Sequence, residues 1–271
     1  MFGLKALLFP CIVAVAAASQ IQGVLRHGGA HVGGKGGGFV KALAFKHRLR
    51  VCNAYPYAAS LDVYRGLHEK LTEAAMPYKA CQDFATPLKA GDKLQFKVGD
   101  ANAGIFSVSD LPNNDAVLLL VIHLHDTMST AVSFESHVFA NLLNAQLAII
   151  DTYRGTSQAM PQIMDAEGGK TSRSEQLRYS SVVAVNPGIY EVALMGKDGE
   201  SKSKQSLVAL NRESYVIIRT GVESKTGTSY PQELMVYPRS DASKLHSGVC
   251  RASGSLLAAV VLLAATATNL W

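Results

Sequence analysis

Apolar and polar side chains alternate strictly at positions 93–98. Leu94, Phe96 and Val98 fall on one face of an extended chain, and Lys93, Gln95 and Lys97 on the other. A period of two predicts a half-buried β-strand. The run 117–124 is apolar on both faces, so it predicts a central strand. Short β-branched or alternating runs recur along 47–240, separated by Gly, Pro, Asn and Asp. This predicts an all-β protein of antiparallel β-sandwiches. One segment, 67–75, competes as a short helix through Leu67, Glu69, Lys70 and Glu73.

From His47 onward the pattern occurs twice, and repeats decide the domain count. The first unit opens on Leu49, Arg50, Val51, Cys52, Asn53, Ala54, Tyr55, and the second on Leu147, Ala148, Ile149, Ile150, Asp151, Thr152, Tyr153. The alternating strand at 94–98, followed by Gly99, is answered by Tyr190, Val192, Leu194 and Gly196. The run 117–124 is answered by 215–218, and each unit closes on a short strand, at 131–134 and 234–237. The expected organisation is a first sandwich at 47–139 and a second at 144–240. Val51 should lie over Ile149 or Ile150, and Gly91 over Gly188. A unit of this size can bury its own core, so the two are expected to fold independently.

The ends carry a different message. Residues 1–18 hold Lys5, an apolar run and the small residues Ala16, Ala17 and Ala18 before Ser19; this order matches a secretory signal peptide. At the other end stand Ser240, Asp241, Ala242 and Ser243, a spacer at 244–255 and an apolar tail at 256–271. That order matches a GPI-anchor signal, with Ser240 or Asp241 as the attachment residue; a weak carboxy-terminal membrane anchor is the alternative. Both readings imply an extracellular, membrane-anchored protein at the cell surface. Removing the two ends takes away Lys5, Lys244 and Arg251 and no acidic residue, so a formal charge of +5 becomes +2. Lys46, His47, Arg48 and Arg50 then read as a solvated strand face, and nothing in the charge pattern implies nucleic acid. Residues 19–46 are Gly-rich and read as a flexible linker. Its His27 and His31 could capture copper or nickel.

Cys52 and Cys81 are the cysteines left in the mature chain. In a secreted domain they can form a disulfide, worth roughly 3–4 kcal/mol for a loop of that size. No Asn-X-Ser/Thr acceptor is present. His123 and His125, two apart on a strand, leave the same face and could bind zinc or copper with Asp126 or His137; the competing reading is a buried strand ending at a wet rim. Asp110, Asn113, Asn114 and Asp115 could be a calcium loop or a hairpin turn. Tyr55, Tyr57, Tyr64 and Tyr153 either stack on sugar rings or cap the core. No nucleophile elbow, HExxH or phosphate-cradling loop occurs. No catalytic residue or cofactor is therefore expected.

Val51, Cys52, Asn53, Ala54, Tyr55 and Pro56, then Leu61, Asp62, Val63 and Tyr64, and Leu88 to Gly91, carry a resemblance to the AlgF family of periplasmic accessory proteins of alginate O-acetylation. It spans both units, although Asp-Val-Tyr is missing from the second. The resemblance implies a noncatalytic β-sandwich pair at a cell envelope, with polysaccharide as a partner. Together these readings predict a lipid-anchored surface protein for adhesion or glycan contact, its partner a polysaccharide or another surface protein. An accessory subunit of a polysaccharide-modifying system is the alternative, and a surface enzyme or metal-binding protein a third.

Overall fold

The computed structural model describes residues 45–166, 173–225 and 227–246. The segments read as a signal peptide, a Gly-rich linker with His27 and His31, and an apolar tail lie outside them. The described chain is all-β, with four sheets of four strands and a single helical turn, α1 (Ser243–His246). The first half builds an inner sheet ordered β4 (Ala80–Phe84), β1 (His47–Ala54), β7 (Ala116–Leu124), β8 (Val132–Ala140). Its outer sheet is ordered β3 (Glu69–Lys70), β2 (Asp62–Arg65), β5 (Lys93–Val98), β6 (Ala101–Ser107). The second half repeats this with an inner sheet of β12 (Ser181–Val185), β9 (Ala145–Asp151), β15 (Ser214–Val222) and β16 (Tyr230–Tyr237). Its outer sheet is β11 (Ser174–Gln176), β10 (Ala159–Asp165), β13 (Gly188–Gly196) and β14 (Ser201–Ala209). Strand for strand, the second order is the first advanced by eight.

Register fixes the equivalence of the halves. β1 lies parallel to β7 with Leu49 opposite Leu118, and β9 lies parallel to β15 with Leu147 opposite Tyr215. Both first strands end in the same local turn: the Tyr55 N–H donates to Asn53 Oδ1, and the Tyr153 N–H to Asp151 Oδ1. Asn53 thus corresponds to Asp151, and Val51 to Ile149. Gly91 precedes β5 with φ +87°, and Gly188 is the first residue of β13, paired with Ala209.

Two expectations are corrected. The sandwiches are not purely antiparallel, because the central pair of each inner sheet is parallel. A parallel pair needs a long crossover, and the whole outer sheet together with the inner edge strand β4 supplies it, since β2 to β6 lie between β1 and β7 in the chain. Segment 67–75 forms no helix. It turns through Gly66 at φ +63° into β3, and the Leu71 N–H donates to Val63 O.

Three cores separate four layers. Leu49, Val51, Leu120 and Ile122 meet Val63, Leu94 and Phe96 inside the first sandwich. Leu147, Ile149, Tyr215 and Ile217 meet Ile163, Val192 and Leu194 inside the second. The opposite faces of the two inner sheets meet each other: Cys52, Ala54, Leu119 and Val121 pack with Ala148, Val216 and Ile218. Alternation along each inner strand assigns its residues to these cores. This is why the run 117–124 is apolar on both faces.

Candidate functional site

On β15, Tyr215 and Ile217 point into the second sandwich, and Arg219 keeps the same parity. On β9, Leu147 and Ile149 do likewise, and Asp151 continues the series. The parallel register sets Arg219 opposite Asp151. At the end of the core, where an apolar pair would close the sandwich, the chain places a charged pair. Arg219 is 4% exposed. Burying a guanidinium is costly unless it is paired and hydrogen-bonded. Its Nη1 donates to Asp151 Oδ2 at 3.1 Å, and its Nη2 to Ser157 O at 2.6 Å and Gln232 Oε1 at 2.8 Å. The cation also lies 4.3 Å from the Tyr153 ring centre. Among the described residues Arg219 Nε is buried with no hydrogen bond of good geometry, although the Tyr179 hydroxyl lies close to the guanidinium.

This pair opens onto a groove of about 570 Å³ between the end of the inner sheet and the outer sheet, lined also by Gln158, Gln162, Gln176, Tyr179 and Lys197. Lys197 makes no ion pair among the described residues. Burial pushes the Tyr179 hydroxyl upward, so it stays protonated and donates to Ala159 O at 2.9 Å. Beyond Gln158 and Lys197 the depression continues past Thr156 and Lys202. Glu223 holds that rim. It accepts from the Thr156 N–H at 2.8 Å, the Tyr153 hydroxyl at 2.5 Å and the Ser157 hydroxyl at 2.7 Å, and these bonds hold its carboxyl down at about 2. Amides that donate and accept, a free ammonium and a buried guanidinium suit recognition of a hydroxyl-rich ligand. Among the described residues no serine, cysteine or histidine lines the main groove.

The first sandwich lacks this feature. Positions equivalent to Asp151 and Arg219 are Asn53 and Ile122, which face each other in register. Ile122 is core, and Asn53 Nδ2 donates to Met76 O. The halves share a backbone plan and differ where the second carries its charged pair.

The residues singled out in the sequence are dispersed. His123 is buried, with Nδ1 at 2.9 Å from Leu124 O and 3.4 Å from Arg154 Nη2. Burial, the largest effect, and the nearby Arg154 lower its pKa despite the contact with Leu124 O. His125 is exposed against Asp126, whose carboxyl this contact, with the Met128 and Ser129 N–H groups, holds well below the usual range. His137 packs edge-on against Phe139. Among the described residues no cluster of three or more His, Cys, Asp or Glu could hold a metal ion. In the candidate calcium segment, Asp115 Oδ1 accepts the Lys46 N–H. Cys52 and Cys81 are joined by a disulfide between directly paired positions of β1 and β4. Tyr57 is exposed beside Tyr55, whose hydroxyl donates to Thr130 O. Tyr64 lies under Lys97. Ser240 hydrogen-bonds the Tyr215 hydroxyl, while Asp241 is exposed just past β16.

The basic cluster is a correction. Arg50 is not on a solvated face: it is wholly buried between the two inner sheets. It donates to Asp83 from Nε at 2.7 Å and from Nη2 at 2.9 Å, reaches the Ser214 carbonyl across the junction, and lies 5.0 Å from the Tyr237 ring centre.

No protein-family model and no curated protein matches the chain. Among solved structures it is similar to the Bacillus anthracis TIE protein at 12% identity, over 66% of this chain and 34% of that one, with a TM-score of 0.21. The chain thus spans about a third of that protein, and a likeness at this level carries no argument. Among the described residues no helix is long and apolar enough to cross a membrane.

Proposed function

We propose that the protein is a noncatalytic cell-surface module that contacts a glycan through the groove at the end of its second sandwich. The observation that carries this reading is the divergence of the repeats: Asn53 and Ile122 fill the site with core, while Asp151 and Arg219 open it. Keeping a buried guanidinium where an isoleucine fits has an energetic cost. A binding role for the surrounding amides and Lys197 accounts for it. The order of small residues, spacer and apolar tail supports lipid attachment close to Asp241, directly after the last strand.

A glycan array probed with the mature chain tests the binding. Gln158→Ala and Lys197→Ala should each weaken retention on the positive glycans by about 2- to 10-fold, the effect of losing one hydrogen bond. An empty array, or retention unchanged by both substitutions, overturns the reading. Release of the protein from cells by phosphatidylinositol-specific phospholipase C tests the anchor; a cell-derived chain whose intact mass still includes Trp271 refutes it.

A further inference from the structure

A second cavity, unrelated to the groove, lies where the sandwiches join. It has a volume of about 600 Å³ and takes its walls from both halves. Lys46, Arg48 and Thr86 come from the first, and Arg212 from the turn before β15. Phe45, Val117 and Phe139 give it an apolar floor.

Its charge is one-sided. Arg48 reaches Asp83 at 3.3 Å, but that carboxylate is already bound by Arg50. Lys46 and Arg212 make no ion pair among the described residues. Asp115 is the acidic residue in the walls, and its Oδ1 is taken by the Lys46 N–H. The main chain of Arg212 is held, and its side chain is exposed. Its backbone has φ +61° and its N–H donates to Leu143 O in the connection between the sandwiches. A further sign comes from Thr86, a lining residue that is 7% exposed and whose Oγ1 is buried with no hydrogen-bond partner among the described residues. Buried hydroxyls are seldom left unpaired, and here the orphan atom belongs to a residue of a cationic wall.

We propose that this cavity binds a small amphiphilic carboxylate, its head between Lys46, Arg48 and Arg212 and its apolar body against Phe139 and Val117. The volume suits such a ligand. Guanidinium forks match the two oxygens of a carboxylate. Because the head is held from both halves, an occupant also ties the sandwiches together.

Calorimetric titration of the mature chain with octanoate, below its micellar concentration, tests this, with octanamide as the uncharged match. Octanoate should bind about 10-fold more tightly than octanamide and weaken as salt is raised. Lys46→Gln and Arg212→Asn should each cost about 5-fold in octanoate affinity; asparagine tolerates the left-handed backbone at 212. Thr86→Val should raise the unfolding temperature of the free protein, by removing the orphan hydroxyl, and lower octanoate affinity. Equal binding of octanoate and octanamide, or affinity unchanged in all three variants, overturns the proposal. So does binding of phosphatidylserine vesicles in preference to octanoate, which would make the site a membrane contact. None of these residues lines the glycan groove, so the two tests fail separately.

Discussion

Single side chains do their largest work here by being charged in buried places. Arg50 alternates with Leu49 and Val51, so in the sequence it looks like the wet face of a half-buried strand. Its burial depends on Ser214 and Tyr237, residues more than 160 positions away. Local periodicity carries no trace of that. Arg50→Ala should cost about 3–5 kcal/mol, because it empties a wholly buried site between the sheets and takes from Asp83 its two-point partner, leaving only the more exposed Arg48; urea unfolding of the variant measures it. Arg219 was equally hidden, although a charged residue ending the apolar run 215–218, with Asp151 ending the run 147–150, is a signal that comparing the repeats could have raised. His123 supplies a pH dependence. Its pKa is lowered by burial from a usual 6.5, so the folded protein favours the neutral ring and the unfolded chain takes the proton first. The stability it contributes is complete above about 6.5 and is lost as pH falls from there towards the lowered folded value. Melting temperatures taken from pH 7 to pH 5 should fall more steeply for the wild type than for His123→Phe.

At the level of strands, the sequence was most readable where alternation was clean. Leu94 and Phe96 do face the first core, and the run 117–124 is central, lying between β1 and β8. The parallel pairing was not legible. A strand apolar on both faces is what a parallel sheet shows, but a strand buried between two antiparallel layers shows the same. The misread helix at 67–75 is too short to nucleate alone, and pairing of Tyr64 with Lys70 wins locally. Bulges, too, left little mark. β15 shifts register between Thr220 and Val222, where Gly221 has φ +127°. A Cβ there would lie 2.4 Å from the Pro231 carbonyl oxygen, which is backbone and cannot swing aside. Gly221→Ala should therefore destabilise by about 1–3 kcal/mol or more, read as a lower denaturation midpoint. Gly66→Ala meets nothing within 4 Å and should cost less, through its backbone conformation alone.

Across the whole molecule, the repeat was visible in the sequence and the third core was not. Cys52, Leu119 and Val121 could have covered any layer; only the fold shows them covered by Ala148, Val216 and Ile218. The expectation of two independently melting units changes accordingly. Leu120→Ala, in the first core, should cost about 2–5 kcal/mol. Because β7 carries Leu120 on one face and Leu119 and Val121 on the other, the loss should lower one shared calorimetric transition. Two transitions, with only one displaced, would show that the junction core does not couple the sandwiches. The four-layer stack also has a consequence in time. β1, β7, β9 and β15 have paired neighbours on both edges and side-chain cores above and below. Their amide hydrogens can meet deuterium only when the molecule opens globally, whereas the short β3 and β11 at the outer edges can exchange by fraying. In deuterated water the middle of the protein would keep the longest isotopic record of when the chain was last unfolded.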